Sequence, residues 1–323
     1  MVDIPAAYAP DLRIGTCSWK YDSWKGLYYD ETRRYRPNDY LKDYAQHLDS
    51  VEVDQWFWSL FPGGLRLPEP KTVQIYADSV PDNFVFTIKA PNALTLTHYY
   101  ARQPKHHIEF AGRPNIYFCD LNLLNRFLEL VEPLGAKLGP IMFQYEFLNR
   151  AKMSSLEEFL DMLDPFFSKA PAGFEYAIET RNPNFLDGPF FDFLGRHSVD
   201  YVYIDGYRMP PIGEVFEEHQ PAAGRSAVVR LHGDNRSAIE KETNEIWNRI
   251  VAPKDDGLRS AARIVRANKE KAMRTFVNVN NHYEGSAPLT IRRFLDVLIE
   301  GEEAGEGEGH EKGQEKNDEE GGR

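Results

Sequence analysis

Ionisable and amide side chains recur where the short apolar runs of this sequence end. They are Glu52, Lys89, Gln144, Glu179, Arg181, Asp205, Arg230, His232, Asn280 and Asn281. A polar side chain is costly inside a packed core unless it is paired. The pattern therefore indicates either buried ion pairs, such as Glu179 with Arg181 or Arg230, or a functional site. We favour a site, because most of the runs end in this way.

Glu52 and Glu179 are the candidate acid/base pair, with His232 as a further catalytic candidate. Two neighbouring carboxyl groups can separate their pKa values, so that one acts as an acid and the other as a base. Glu52 and Asp54 are two residues apart on one predicted strand, so they share one side of it. If that side faces an open pocket, Glu52→Gln is expected to leave the protein folded and as stable as wild type.

A divalent metal is an alternative for the same region. Glu179, Asp205 and His232 close three successive predicted strands, and two carboxylates with one imidazole can hold such an ion with open positions. Cys17 is a weaker candidate, as a nucleophile with His232 as its base. No signature of a cysteine protease surrounds it, so a packed small residue is the simpler interpretation.

The remaining candidates would bind a ligand. Lys89, Arg181 and Arg230 are suited to hold a phosphate or carboxylate group. His98, Gln144, Asp205, Asn280 and Asn281 are candidates for hydrogen bonds to the same ligand. Four tryptophans are candidates either for stacking on a sugar or base ring or for the core: they are Trp19, Trp24, Trp56 and Trp58.

The elements that must position these residues alternate along the chain. Runs rich in β-branched and aromatic residues predict eight strands, at 13–19, 50–57, 84–90, 139–145, 174–180, 200–205, 227–233 and 275–281. Amphipathic patterns predict helices between most of them, at 38–48, 120–134, 154–167, 257–272 and 286–300. Asn38, Asp120 and Ser155 are the predicted N-caps, and Gly301 the predicted end of the last helix. The stretch 206–222 looks mostly irregular.

Eight strands alternating with helices indicate an α/β fold, a single (β/α)8 TIM barrel. The strand ends of such a barrel open onto one face, where active sites form. The stretch 90–119 predicts a long loop after strand 3, suited to cover that face. An open doubly wound sheet would carry a glycine-rich phosphate loop after an early strand, and no such nucleotide-cofactor motif is present.

Composition divides the chain into an N-terminal extension (1–12), the barrel (13–300) and an acidic tail (301–323). The net charge of the chain is -12. The tail carries a net charge of -6, since its eight Glu and one Asp outweigh two Lys and one Arg. Without large apolar side chains it is expected to be disordered, and it would suit a basic partner. The acidic balance argues against a large nucleic-acid footprint, although a nucleic-acid end stays among the candidate ligands.

Two cysteines, no signal peptide and no long apolar run predict a cytoplasmic protein without a membrane span.

Seven motifs in this order resemble the domain of unknown function 72 family, also called YecE-like. They are "IGTCSWKYDSWKGLYY", "HLDSVEVDQWFW", "FTIKAP" with "LTLTHYY", "LGPIMFQY", "AIETRNPNF", "VVRLHGD" and "VNVNNHYEGSAPLTI". The resemblance covers about residues 11–300. It implies a TIM barrel and no particular reaction.

Taken together, the residues predict an enzyme that performs acid/base chemistry on a small polar, anionic ligand at the C-terminal face of the barrel. A sugar phosphate, a nucleotide or a nucleic-acid end would fit. A metal-dependent hydrolase or isomerase and a non-catalytic binding barrel are the alternatives.

Overall fold

The computed structural model describes residues 4–219 and 225–314, with the backbone alone for residues 302–314. In the chain so described, the strands are β1 (Leu12–Thr16), β2 (Ser50–Val53), β3 (Leu60–Phe61), β4 (Gly64–Leu65), β5 (Val85–Lys89), β6 (Leu138–Gln144), β7 (Tyr176–Glu179), β8 (Asp200–Gly206), β9 (Ser226–Gly233) and β10 (Arg274–Val279).

Eight of these strands form the barrel. Their order is β1-β10-β9-β8-β7-β6-β5-β2, and every pairing in this sheet is parallel. The sheet closes between β1 and β2 through a single bridge from Cys17 to Glu52 and a hydrogen bond of 3.1 Å from the Ser18 amide to the Glu52 carbonyl. The predicted TIM barrel and its eight strands are confirmed, and β3 and β4 add a small antiparallel hairpin.

The helices surround the sheet. They are α1 (Asp39–Tyr44), α2 (Pro70–Asp78), α3 (Asn92–Thr95), α4 (Leu121–Val131), α5 (Leu156–Phe167), α6 (Gly188–His197), α7 (Ile212–Glu218), α8 (Arg236–Thr243), α9 (Asp255–Glu270) and α10 (Ala287–Gln314). Two of the predicted caps are confirmed: Asp120 Oδ1 accepts from the Leu123 amide at 2.6 Å, and Ser155 Oγ accepts from the Glu158 amide at 3.1 Å. Asn38 precedes α1 but makes no side-chain cap bond.

Two local predictions need correction, and a third gains detail. The stretch 206–222 contains the seven-residue helix α7, which starts directly after Pro211 and buries Val215 and Phe216. The predicted long loop at 90–119 includes the short helix α3 and a 3-10 helix at Lys105–Phe110. The last helix does not end at Gly301, because its backbone continues to Gln314. The expected disorder of 301–323 falls partly on residues 315–323, which lie outside the described residues.

The inward positions of the barrel strands change from apolar to polar toward the carboxyl ends. Val85, Met142, Ala177, Val202, Val228 and Phe276 form one buried cluster inside the barrel. Because side chains alternate along a strand, residues two positions further on point the same way. Val228 is thus followed by Arg230 and then His232, and Ala177 by Glu179. The apolar layer forms the base on which the polar end of the barrel rests.

No helix in the part of the chain that the structure describes is long and apolar enough to cross a membrane.

Candidate functional site

A cavity of about 860 Å³ opens at the carboxyl ends of the strands. It is lined by Cys17, Tyr21, Glu52, Asp54, Phe57, Trp58, Lys89, Leu96, Tyr100, Gln144, Glu146, Phe147, Arg181, Pro183, Tyr207, Arg208, Arg230, His232, Gly233, Asp234, Arg236, Asn280 and His282. This is the face on which TIM barrels place their active sites, and the volume suits a small-molecule ligand.

Arg230 forms the floor of the cavity together with two carboxylates. Its Nε and Nη2 donate to Glu52 Oε2 and Oε1 at 2.7 and 2.6 Å, and Nη1 donates to Glu179 Oε2. All three side chains are fully or almost fully buried. The alternative of a buried ion-pair network therefore holds for Glu52, Glu179 and Arg230, and the guanidinium has little left to offer an anionic ligand.

Arg181 lies above this floor. Its Nε donates to Glu179 Oε1 at 2.5 Å, and its Nη2 donates to Gln144 Oε1 at 3.3 Å. The guanidinium stacks on the Tyr207 ring, 3.5 Å from the centroid. Burial raises the pKa of Glu179, but Arg181, Arg230 and Lys89 outweigh it, so the net pKa is lowered. Glu179 is held as an ionised acceptor, which fits a positioning group better than a proton donor.

Lys89 is the cationic side chain of the floor that has no anionic partner. It is 8% exposed, its Nζ lies 3.7 Å from the centroid of the Phe57 ring, and it forms no ion pair with a described residue. Burial, followed by the charge of Arg230, lowers the pKa of Lys89 to about 8. Such an ammonium can both attract an anion and give up its proton near neutral pH.

Asp54 is the corresponding carboxylate on the cavity wall. It follows β2 on the same side as Glu52, as the two-residue spacing predicts, and both line the cavity. Burial, and then the charge of Glu52, raises the pKa of Asp54, while Lys89 opposes the shift. Glu52 and Glu179 both form ion pairs with arginines. Asp54 and Lys89 are the two oppositely charged groups of the inner cavity that form no ion pair with a described residue.

A further set of contacts links Cys17, His232 and Tyr207. Cys17 Sγ lies 3.2 Å from His232 Nε2 and 3.5 Å from Glu52 Oε2, and the Tyr207 hydroxyl lies 3.3 Å from His232 Nδ1. Burial first, and then Arg230, lowers the pKa of His232 well below its ordinary value, so the ring is neutral. Burial and the charge of Glu52 raise the pKa of Cys17. The thiol therefore keeps its proton, which argues against a free thiolate nucleophile.

Four predicted site residues do not line the cavity: Glu179, Asp205, Asn281 and His98. Glu179 is fully buried against Arg181 and Arg230. Asp205 accepts a hydrogen bond of 2.6 Å from the Tyr283 hydroxyl. Asn281 Oδ1 accepts from the Ala287 amide at 2.9 Å and from Trp24 Nε1 at 3.2 Å, so this side chain caps α10. His98 Nδ1 contacts the Thr97 hydroxyl at 3.0 Å.

The expected metal ligands are not brought together. Among the described residues, the one group of three potential ligands whose atoms lie within 4.8 Å of one another is Cys17, Glu52 and His232. Asp205 is directed to Tyr283, and Glu179 is held by two arginines. Of the predicted set Glu179, Asp205 and His232, only His232 belongs to this group.

An aromatic rim surrounds the cavity, and the sequence predicts only part of it. Trp58, Tyr100, Phe147 and Tyr207 line the cavity and are 57%, 39%, 59% and 43% exposed. Of the four tryptophans considered for stacking, Trp58 is the one that lines the cavity, whereas Trp19, Trp24 and Trp56 are buried in the core. Tyr207 and Arg208 come from a stretch without a clear pattern, directly after β8.

A family model described as "Protein of unknown function DUF72" matches residues 13–315. The chain belongs to the DUF72 family. Among curated proteins, no relative is found.

Solved DUF72 structures share the fold. A DUF72 family protein from Thermotoga maritima is 21% identical, with a TM-score of 0.58 over 89% of this chain and 99% of that one. A DUF72 family protein from Enterococcus faecalis is 17% identical, with a TM-score of 0.54 over 88% of this chain and 95% of that one. At these identities the likeness concerns the barrel and not the reaction.

Proposed function

We propose that the chain is an enzyme that performs acid/base chemistry on a small polar, anionic ligand bound at the carboxyl end of the barrel. The observation that carries this proposal is the buried ammonium of Lys89, which faces the cavity without an ion-pair partner in the described chain. A buried charge is costly unless something compensates it, and an anionic group of the ligand would do so.

The proton chemistry is assigned to Lys89 and Asp54. With a pKa of about 8, Lys89 is mostly protonated at neutral pH and becomes a base just above it. Asp54, with its raised pKa, takes up or releases a proton closer to neutrality than an ordinary aspartate. A pair of groups shifted toward each other is the arrangement that acid/base catalysis needs. Glu52 and Glu179 then orient the arginines and keep the floor rigid.

Two further cations would complete the anion site. The Nη1 of Arg181 forms no hydrogen bond to a described residue. Arg208 lines the cavity and forms no ion pair with a described residue. Gln144 and Asn280 also line the cavity and would add hydrogen bonds. The exposed aromatic rim would stack on a ring of the ligand. A sugar phosphate or a nucleotide has both a ring and an anionic group.

Thermal melts with inorganic phosphate and with a nucleoside monophosphate would test this site. A ligand present at about 100 times its Kd stabilises the folded state by about 2.7 kcal/mol. We expect both probes to raise the Tm of wild type and not that of Lys89→Met. The matched control is Lys169→Met, because Lys169 is exposed and follows the carboxyl end of α5, away from the cavity.

Equal stabilisation of Lys89→Met and wild type would contradict the role of Lys89. If the anions stabilise wild type, a screen of phosphate esters and sugar phosphates then measures turnover. We expect product with wild type and at least a 100-fold loss with Lys89→Met, as general acid/base groups contribute about 100- to 10,000-fold.

A non-catalytic binding barrel is the second candidate. It is favoured by the ion pairs that tie up Glu52 and Glu179, since the two most buried carboxylates of the floor are not free to exchange protons with a ligand. Stabilisation by a ligand without any product in the same screen would support this candidate over the enzyme.

We also propose a cytoplasmic location and a binding role for the acidic tail. Both cysteines are free, which suits the reducing cytoplasm. The acidic sequence 301–323 would serve as an arm for a basic partner. Comparing pull-downs with the full chain and with a chain truncated after Glu300 tests the arm, and equal capture of basic proteins by both would contradict it.

A further inference from the structure

Three side chains of the cavity floor are arranged as metal ligands. Cys17 directly follows β1, Glu52 lies in β2 and His232 lies in β9. Cys17 Sγ is 3.2 Å from His232 Nε2 and 3.5 Å from Glu52 Oε2, and the three ligand atoms lie within 4.8 Å of one another. All three side chains are buried, and all three line the cavity.

The two separations that involve Cys17 Sγ match a tetrahedral zinc site. With Zn–S at about 2.3 Å and Zn–N or Zn–O at about 2.0 Å, the tetrahedral angle puts sulfur about 3.5 Å from the other ligand atom. We propose that Cys17, Glu52 and His232 bind a divalent transition-metal ion, with zinc the best fit. Thiolate and imidazole favour zinc over magnesium or calcium, which prefer oxygen ligands.

Neighbouring residues hold two of the three ligands, Glu52 and His232, in place. Arg230 donates to both oxygens of Glu52, at 2.7 and 2.6 Å, and each carboxylate oxygen has a second lone pair for a metal. The Tyr207 hydroxyl lies 3.3 Å from His232 Nδ1. If Nδ1 carries the proton and donates to Tyr207, Nε2 is left as the ligand, which is the arrangement typical of metal-binding histidines.

The Glu52 carboxylate and a Cys17 thiolate would give the ion two negatively charged ligands, and the His232 imidazole would give it a third ligand. Binding would release one proton from Cys17, since a ligating cysteine is a thiolate. Three protein ligands would leave a fourth position for water or a ligand from the cavity that all three residues line, as in catalytic rather than structural zinc sites.

This inference goes beyond the proposed acid/base reaction and does not depend on it, because metal binding is measured without substrate. The probe is Co²⁺, added under reducing, oxygen-free conditions to the chelator-treated full chain. Coordination by Cys17 predicts a thiolate-to-cobalt charge-transfer band in the near ultraviolet, saturating at one equivalent, and visible bands of a tetrahedral ion. Zn²⁺ should displace Co²⁺ and raise the Tm.

Four variants separate the ligands from their surroundings. Cys17→Ser should abolish the charge-transfer band, and His232→Asn should weaken Co²⁺ binding at least 100-fold. Tyr207→Phe, which removes only the partner of His232, should weaken it about 10-fold. Cys119→Ser is the matched control, because Cys119 is the other free cysteine and does not line the cavity. Circular dichroism and melting curves without metal establish that each variant is folded.

The proposal is overturned if wild type shows no charge-transfer band at millimolar Co²⁺. It is also overturned if a folded Cys17→Ser keeps the band, or if Cys119→Ser loses it. Rapid alkylation of Cys17 at neutral pH, together with no Co²⁺ binding, would instead indicate a free nucleophile and would equally reject the metal site.

Discussion

Arg230 is the side chain on which the floor of the cavity depends. It is 1% exposed and shares its donors between Glu52 and Glu179, so three charges lie together in a desolvated layer. The attraction within such a layer roughly offsets the cost of burying the charges, and the loss of one partner leaves another charge uncompensated. Removing either the Glu52 or the Glu179 carboxylate is therefore expected to destabilise the floor of the cavity.

Glu52→Gln is the first prediction at the residue scale. We expect a loss of about 3–5 kcal/mol in the free energy of unfolding, because the change breaks a buried pair from one side. This reverses the expectation from the sequence that the variant would be as stable as wild type. Urea unfolding at pH 7 measures the difference.

Glu146→Gln is the matched control for that change. Glu146 also lines the cavity, but its side chain is 24% exposed, and among the described residues its ion-pair partner is Lys152 at 2.5 Å. A pair of this kind contributes at most about 1 kcal/mol. If Glu52→Gln costs no more than Glu146→Gln, Glu52 is not a structural partner of Arg230.

Lys89→Met tests the buried ammonium by its pH dependence. The pKa of Lys89 falls from 10.5 to about 8 on folding. Between these values the unfolded chain binds more protons than the folded one, so the contribution of Lys89 to stability rises with pH. Below pH 8 the full cost of burying the ammonium remains. We therefore expect Lys89→Met to be more stable than wild type by about 3 kcal/mol at pH 7.

That gain should shrink toward zero at pH 10. Urea unfolding of both proteins at pH 7 and pH 10 gives the two differences, and Lys169→Met should show neither. A gain of the same size at both pH values would mean that the methionine improves packing and that the ammonium is not destabilising.

At the scale of the elements, strands and caps follow from local patterns. Two-residue alternation placed Glu52 and Asp54 on one side of β2, and both line the cavity. Asp120 and Ser155 act as caps, because the hydrogen bond of an N-cap spans only three residues. Such contacts are encoded within a few positions of the chain, which is why the sequence alone predicts them.

Side-chain contacts across the barrel are not encoded by residues a few positions apart in the chain. Asp205 and Asn281 end their strands as the predicted ligand-binding residues do, yet they contact Tyr283 and Trp24. The sequence predicts a pair of Glu179 with Arg181 or Arg230, and in the structure Glu179 contacts both. Which of several polar side chains faces the cavity depends on the strand register and on the loops, and neither can be read from a strand pattern.

The adjacent residues Asn280 and Asn281 test which polar side chains face the cavity and which have a structural role. Asn281→Ala removes the cap of α10 and the acceptor of the buried Trp24 Nε1, so we expect it to cost about 2–3 kcal/mol. Asn280 lines the cavity, and its Oδ1 accepts from the His282 amide at 2.9 Å. Asn280→Ala should cost less stability and instead weaken anion binding. Melting curves with and without phosphate distinguish the two variants. A larger loss of stability in Asn280→Ala, with weaker phosphate binding in Asn281→Ala, would contradict these roles.

For the whole molecule, the decisive feature is the seam between β1 and β2. The other neighbouring strands of the barrel pair over at least two residues, whereas this seam has one bridge, between Cys17 and Glu52. A Cβ at Gly15 would lie 2.5 Å from the Ser50 carbonyl oxygen, so only glycine lets the strands approach this closely. The same closure brings Cys17 to Glu52, and the proposed metal site depends on it.

Gly15→Ala should therefore affect stability and metal binding together. We expect a loss of about 1–3 kcal/mol, because the added methyl group must push the two strands apart. The Co²⁺ charge-transfer band should weaken as well, since separating the strands moves Cys17 away from Glu52. Gly64→Ala is the control: nothing lies within 4 Å of its Cβ position, so it should change neither property. Unchanged stability of Gly15→Ala would show that the seam is loosely packed. A loss of stability with an undiminished band would place the metal ligands apart from the closure of the barrel.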